Sequence, residues 1–138
     1  MFEWHGWATI LAAPGGEDDA AAEAEQRDAE AQVALLIAGV ANETLDLRSA
    51  NGSIHVWLAG SHNHSDEAVI SLFRSIAAAA PGSYGIMYLR DVDVSNTWDR
   101  LVMRRGTVSR EVDTSLSPHI GVVEDPSSPF VPDKEAVQ

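Results

Sequence analysis

The chain has 138 residues, no cysteine, and 21 acidic against nine basic side chains, for a formal net charge of −12. Its length fits one domain, the lack of cysteine excludes disulfides and thiolate metal sites, and the acidic surplus argues against nucleic-acid binding. No apolar run approaches the roughly 18 residues of a membrane span, and residues 1–5 lack the basic region followed by an apolar run that is typical of a signal peptide. We therefore expect a cytoplasmic protein without membrane contact, whose partner, if it has one, is basic.

The first predicted element is a strand at residues 2–11, because polar and apolar side chains alternate there. Gly6 lies between two tryptophans, and a glycine inside a strand indicates a bulge or the close approach of a neighbouring group. The two faces of this strand are Trp4, Ala8 and Ile10 on one side and His5, Trp7 and Thr9 on the other.

A helix is predicted at about residues 18–41, where strong helix formers dominate. Residues 17–30 carry seven acidic side chains and one arginine, hence half of the net negative charge, which favours a solvated helix face. The apolar residues at helical spacing are Val33, Leu36, Ile37 and Val40.

Asn51-Gly52 predicts a two-residue hairpin turn between strands at residues 45–49 and 54–60, since a type I′ turn needs positive φ at both positions. This turn places Arg48 opposite His55 and Leu47 opposite Val56. One face of the hairpin is then apolar, and slipping the register by one residue would mix the two faces. The polar and aromatic face holds Asp46, Arg48, His55 and Trp57.

A second helix follows residue 64, with Ser65 or Asp66 as its N-cap. Its predicted buried stripe consists of Ala68, Val69, Leu72, Phe73 and Ile76. Pro81 ends the helix, and Gly82 supplies the positive φ that a helix end commonly needs. A strand around Met87, apolar on both faces, follows and is predicted to emerge into water at Arg90.

The last predicted elements are strands at residues 98–104 and 107–112, turned at Arg105-Gly106 with Met103 opposite Val108. Four prolines after residue 113 exclude regular structure there. We expect one domain over residues 1–125 and a disordered tail over residues 126–138.

The element order β-α-β-β-α-β-β predicts an α+β fold, in which both helices cover one face of a mostly antiparallel sheet. The other face is then free and carries Trp57 beside charged groups, a combination typical of binding surfaces. The alternative is that the C-terminal segment, which is long enough to cross the sheet, covers Trp57.

The sequence gives less support to three enzymatic or small-molecule functions than to a binding surface. His62, His64 and Asp66 could serve a small metal-dependent hydrolase, but this spacing does not supply a converging set of ligands, and we predict neither metal nor cofactor. Ser83 belongs to no nucleophile motif, and we predict that it forms part of the turn before the strand. A small-molecule pocket between the sheet and the helices also remains open.

Six short blocks carry a resemblance to a known family. They are FEWHGWATI at residues 2–10, Asn51-Gly52, Asn63-His64, APGSYG at residues 80–85, Arg104-Arg105-Gly106 and Leu116-Ser117-Pro118. In this order they resemble the immunity protein 7 family of bacterial polymorphic toxin systems, over roughly residues 2–125. The resemblance implies a non-catalytic antidote that binds a cognate toxin domain, such as a nuclease, in the producing cell.

On this basis we expect the toxin to contact the free sheet face and the adjoining loops. The predicted contact residues are Trp57 as an anchor with Asp46, His55, Asp91 and Asp93. The residues predicted to serve the fold are Gly6, Trp7, Gly52, Pro81, Gly82, Tyr84 and Gly85. Nothing in the sequence fixes the oligomeric state.

Overall fold

Two hairpins with the same turn geometry flank the sheet in the computed structural model, which describes residues 1–13, 20–40 and 45–118. Asn51-Gly52 and Arg105-Gly106 both have φ values of 52° and 78°. The first turn joins β2 (Leu45–Ala50) to β3 (Ser53–His62), and the second joins β5 (Asp99–Arg104) to β6 (Thr107–Val112). Both predicted registers are confirmed, with Arg48 opposite His55 and Met103 opposite Val108.

The first strand, β1 (Phe2–Ile10), lies in the middle of the sheet. It pairs antiparallel with β3 on one side and with β4 (Tyr84–Asp91) on the other. The resulting six-stranded sheet has the order β2-β3-β1-β4-β5-β6, and every pairing is antiparallel. The predicted α+β class is confirmed. Three strands, β4, β5 and β6, follow the second helix, because both strands of the last hairpin join the sheet.

Helices α1 (Ala20–Ala38) and α2 (Glu67–Ala79) pack on one face of this sheet, as predicted. Within the described residues, neither helix is long and apolar enough to cross a membrane. The sheet residues that meet the helices in the core include Phe2, Trp4, Ala8, Ile10, Val56, Leu58, Met87, Leu89, Leu101 and Met103. The predicted outer ends of α1 and the predicted tail at residues 126–138 lie outside the described residues.

The buried stripe of α2 differs from the prediction at one position. Ala68 is exposed, because it lies about 140° around the helix from Phe73 at 100° per residue. Asp66 is the N-cap, and its carboxylate accepts a hydrogen bond from the Ala68 N–H at 2.9 Å. The buried stripe consists of Val69, Ile70, Leu72, Phe73, Ile76 and Ala77.

Three glycines are needed for close approach between chain segments. A Cβ on Gly6 would lie 2.7 Å from the Ile86 carbonyl oxygen, which confirms the close approach predicted at this position. A Cβ on Gly85 would lie 2.2 Å from the Trp7 carbonyl oxygen, and one on Gly82 would lie 2.4 Å from the carbonyl carbon of Ala13. The prediction that Gly82 adopts positive φ is wrong, since the helix already ends in a bend at Ala80. Gly82 instead lets the turn after α2 approach the end of β1.

Candidate functional site

The sheet face opposite the helices carries a row of large apolar side chains that crosses four strands. Trp57 lies opposite Trp7, Trp7 opposite Ile86, and Ile86 opposite Val102. Directly paired residues point to the same face, so these four form one band, which we call the apolar row. At about 4.8 Å between strands, the row spans about 14 Å from Trp57 to Val102.

The aromatic members of this surface are exposed and held in place by their neighbours. Trp57 is 44% exposed and Trp7 is 40% exposed, and Tyr84, next to the row, is 48% exposed. Tyr84 meets Trp7 edge to face with ring centroids 6.1 Å apart, and His55 lies 5.6 Å from Trp57. These contacts limit the rotation of the indole rings while leaving part of each ring accessible.

The sequence predicted that Trp7 and Tyr84 serve the fold, and the structure places both of them partly exposed beside Trp57 on the open face. Alternation in β1 separates Trp7 from the buried Trp4, which is a usable signal. This alternation does not show which side of the strand faces water. That side is set by the helices, which cover the face of Trp4.

Three of the predicted contact residues come together at the β2–β3 end of the apolar row. Asp46 lies opposite Trp57, and His55 lies two residues before it on the same strand face. His55 Nδ1 is 2.9 Å from Thr9 Oγ1, which fixes the imidazole. The Asp46 carboxylate is 2.7 Å from Arg48 Nε, so its charge is largely balanced locally.

Asp91 and Asp93, the other two predicted contact residues, are not part of this cluster. Asp91 pairs with Phe2 on the core side of the sheet and accepts a hydrogen bond from the Ser65 hydroxyl, which lowers the pKa of its carboxyl group. Asp93 lies 3.0 Å from the N-terminal ammonium. Because β4 runs antiparallel to β1, its last residues lie beside the first residue of β1, away from Trp57.

A polar cluster closes the end of the open face that holds the N-terminus. The Arg90 guanidinium lies 3.1 Å from Glu3 and over the Trp98 ring, 5.1 Å from its centroid. Glu3 also meets His5 at 2.9 Å, and this hydrogen bond, together with Arg90, holds the pKa of Glu3 below its usual value. The prediction that Arg90 emerges into water is wrong, because pairing and stacking keep it only 6% exposed.

The described part of the C-terminal segment packs at Trp98. The backbone N–H of Trp98 donates to Ser117 Oγ at 2.6 Å, and the backbone N–H of Asp113 donates to the Trp98 carbonyl at 2.8 Å. Up to residue 118 this segment therefore covers the Trp98 end of the face, and Trp57 stays exposed. Residues 119–138 lie outside the described residues.

The residues considered for hydrolysis contact neighbouring side chains of the fold. His62 Nε2 lies 3.3 Å from Asp66, and the His62 ring lies 5.0 Å from Trp4. His64 is exposed, and no cluster of three His, Asp or Glu side chains within residues 1–13, 20–40 and 45–118 could hold a metal ion. The Ser83 hydroxyl accepts from the Leu11 N–H at 3.0 Å, so it joins the turn after α2 to the end of β1.

A cleft of about 220 Å³ lies between the start of α2 and β4–β6, lined in part by Phe2, Ile70 and Leu89. This volume is below the roughly 300–1,000 Å³ of typical ligand pockets. An open groove of about 560 Å³ lies between the two helices around Leu35 and Leu36. In the described part of the chain, the open sheet face has the largest group of exposed aromatic side chains, namely Trp7, Trp57 and Tyr84.

The family model for immunity protein 7 matches residues 1–125. This chain belongs to the immunity protein 7 family. The match extends over both helices and all six strands, so the open face is part of the family domain. Searches of curated proteins and of solved structures found no match. As an immunity protein, the chain is expected to act by binding a cognate toxin, which directs attention to its exposed aromatic surface.

Proposed function

We propose that this protein neutralises its cognate toxin as a non-catalytic inhibitor, by seating the toxin domain on the open sheet face in the cytoplasm of the producing cell. The observation that carries this proposal is the group of three exposed aromatic side chains, Trp57, Trp7 and Tyr84, on a rigid sheet. Trp and Tyr are enriched among the residues that dominate binding energy at protein interfaces. Their fixed rings lose little side-chain entropy on binding.

The charge of the protein supports a basic toxin, with a nuclease as the candidate class. The formal net charge is −12. Exposed acids on α1 include Glu23, Glu25 and Asp28. Opposite net charges raise the rate at which two proteins meet, and they do so without requiring that every acid lie inside the interface.

The test replaces Trp57 by alanine and measures affinity by calorimetry for a catalytically inactive form of the cognate toxin domain, which we expect the neighbouring reading frame to encode. An aromatic ring buries about 150–250 Å², and the loss of an anchor costs at least 2 kcal/mol, so we expect about 30-fold weaker binding or more. Neutralisation of the active toxin in cells should weaken in parallel.

The matched control is Leu35→Ala. Leu35 is 74% exposed on α1, on the helix side of the sheet, so its replacement also removes an exposed apolar side chain. We expect this variant to keep the affinity of the wild type. Unchanged affinity of a folded Trp57→Ala variant would show that the toxin does not use this part of the open face.

A further inference from the structure

The two hairpin turns of this protein have the same backbone conformation but different residues at the first turn position. Asn51 and Arg105 both have φ of 52°. This left-handed region is unfavourable for most side chains and is best tolerated by Gly, Asn and Asp, which is why Asn-Gly is preferred in such turns. The backbone conformation therefore explains Asn51 and leaves Arg105 unexplained.

Arg104 and Arg105 are both exposed, and neither forms an ion pair within the part of the chain that the structure describes. In a chain with 21 acidic side chains, four other arginines each have an acidic partner. These four are Arg48, Arg90, Arg100 and Arg110. Arg27 and Arg74 also form no ion pair in the described part of the chain, but they are single residues on the helices. The β5–β6 turn presents two such guanidinium groups on adjacent residues.

The position of the turn connects Arg104 to the apolar row, and Arg105 is the next residue, in the exposed turn. Arg104 follows Val102 on the same face of β5, about 7 Å further along the strand. Gly85 pairs with Met103, so Tyr84 and Arg104 are neighbours on the open face. Exposed Trp, Tyr and Arg side chains, the three residue types most enriched among interface hot spots, thus lie on one continuous surface.

We propose that Arg104 and Arg105 bind carboxylate groups on the toxin segment that docks on the apolar row. This inference rests on the proposed function. Guanidinium groups bind carboxylates through paired hydrogen bonds, so the docking segment would combine apolar side chains with Asp or Glu about 7 Å away. A net positive charge on the toxin is a property of its whole surface and is compatible with carboxylates in the segment that docks on the apolar row.

The main test is Arg105→Asn, which separates binding from folding. Asparagine suits the left-handed turn better than arginine, so the variant should keep or raise the melting temperature. If Arg105 binds a carboxylate, affinity for the inactive toxin domain should fall about fivefold or more despite the equal or greater stability. A purely structural Arg105 would give equal or better binding.

A charge reversal strengthens the test. The double variant Arg104→Glu, Arg105→Glu should weaken toxin binding about 30-fold or more, because it places like charges against the carboxylates. The matched control is Arg74→Glu, since Arg74 is exposed on α2 on the helix side of the sheet. We expect this control to change the affinity less than about threefold.

The outcomes distinguish this inference from the proposed function. If Trp57→Ala weakens binding while Arg105→Asn and the double variant bind as the wild type does, the arginine assignment is wrong and the open-face proposal stands. If none of these variants weakens binding, docking on the open face is itself refuted. Binding of a single-stranded oligonucleotide that the double variant loses, with toxin affinity retained, would assign the arginines to nucleic acid and overturn the inference.

Discussion

Replacing Gly82 by alanine should destabilise the protein before it affects any particular function. The added Cβ would lie 2.4 Å from the carbonyl carbon and 2.6 Å from the carbonyl oxygen of Ala13. Both are backbone atoms, which cannot rotate away as a flexible side chain can. The adjacent Ser83 is buried and bonds to Leu11, with its hydroxyl accepting from the N–H at 3.0 Å and donating to the carbonyl at 3.4 Å.

Relieving the contact requires a displacement of about 1 Å, which would stretch both hydrogen bonds between Ser83 and Leu11. Overpacking costs about 1–3 kcal/mol and a weakened hydrogen bond about 1 kcal/mol more, so we expect a loss of about 2–4 kcal/mol. For a domain of this size this corresponds to a melting temperature lower by about 10 °C. Thermal and urea unfolding followed by circular dichroism would measure both quantities.

Gly39→Ala is the matched control for Gly82→Ala. A Cβ on Gly39 would have its nearest neighbour at 3.5 Å, an ordinary contact. Its melting temperature should stay within about 3 °C of the wild type. A Gly82→Ala variant that melted equally close to the wild type would refute the close-packing argument, and one that stayed folded without neutralising toxin would give this turn a direct role in binding.

Two further predictions concern the polar cluster and the helix cap. The pKa of Glu3 is lowered by the hydrogen bond from His5 and by Arg90, so its stabilising effect is present above about pH 4.5 and is lost as pH falls through the folded-state pKa. When the pH is lowered from 7 to about 3.5, the free energy of unfolding of Glu3→Gln should therefore decrease less than that of the wild type. An equal decrease in the two proteins would contradict this. Asp66→Ala removes the cap bond to Ala68 and should cost about 1 kcal/mol in urea unfolding, whereas Asp66→Asn should retain most of it.

Local chemistry was sufficient to predict both hairpins and the faces of their strands. Asn51-Gly52 and the glycine at position 106 mark the two turns, and the alternation of side chains fixes the register. Trp57 could therefore be placed beside Asp46 and His55 before the structure was known. The helix stripe was predictable for the same reason, because a period of 3.6 residues is a local property.

The composition of the whole open face depends on strand pairings that are distant in sequence. Trp7 comes beside Trp57 only because β1 lies between β3 and β4. No local periodicity encodes that neighbourhood, so Trp7 and Tyr84 could not be assigned to the exposed surface. The same antiparallel pairing of β1 with β4 carries Asp91 to the opposite end of the sheet.

The acidic and aromatic side chains of this immunity protein occupy different surfaces, which lets charge and packing act at different stages of binding. The acids on α1 lie on the helix side, whereas Trp57 and Trp7 lie on the open face. Exposed charges act over a screening length of about 8 Å at physiological ionic strength and chiefly affect the encounter rate. Packing against fixed aromatic rings chiefly affects the lifetime of the complex. Under the proposed mode of binding, specificity can change on the sheet face, while the acidic helix attracts the basic toxin proposed here and the core under the sheet stays the same.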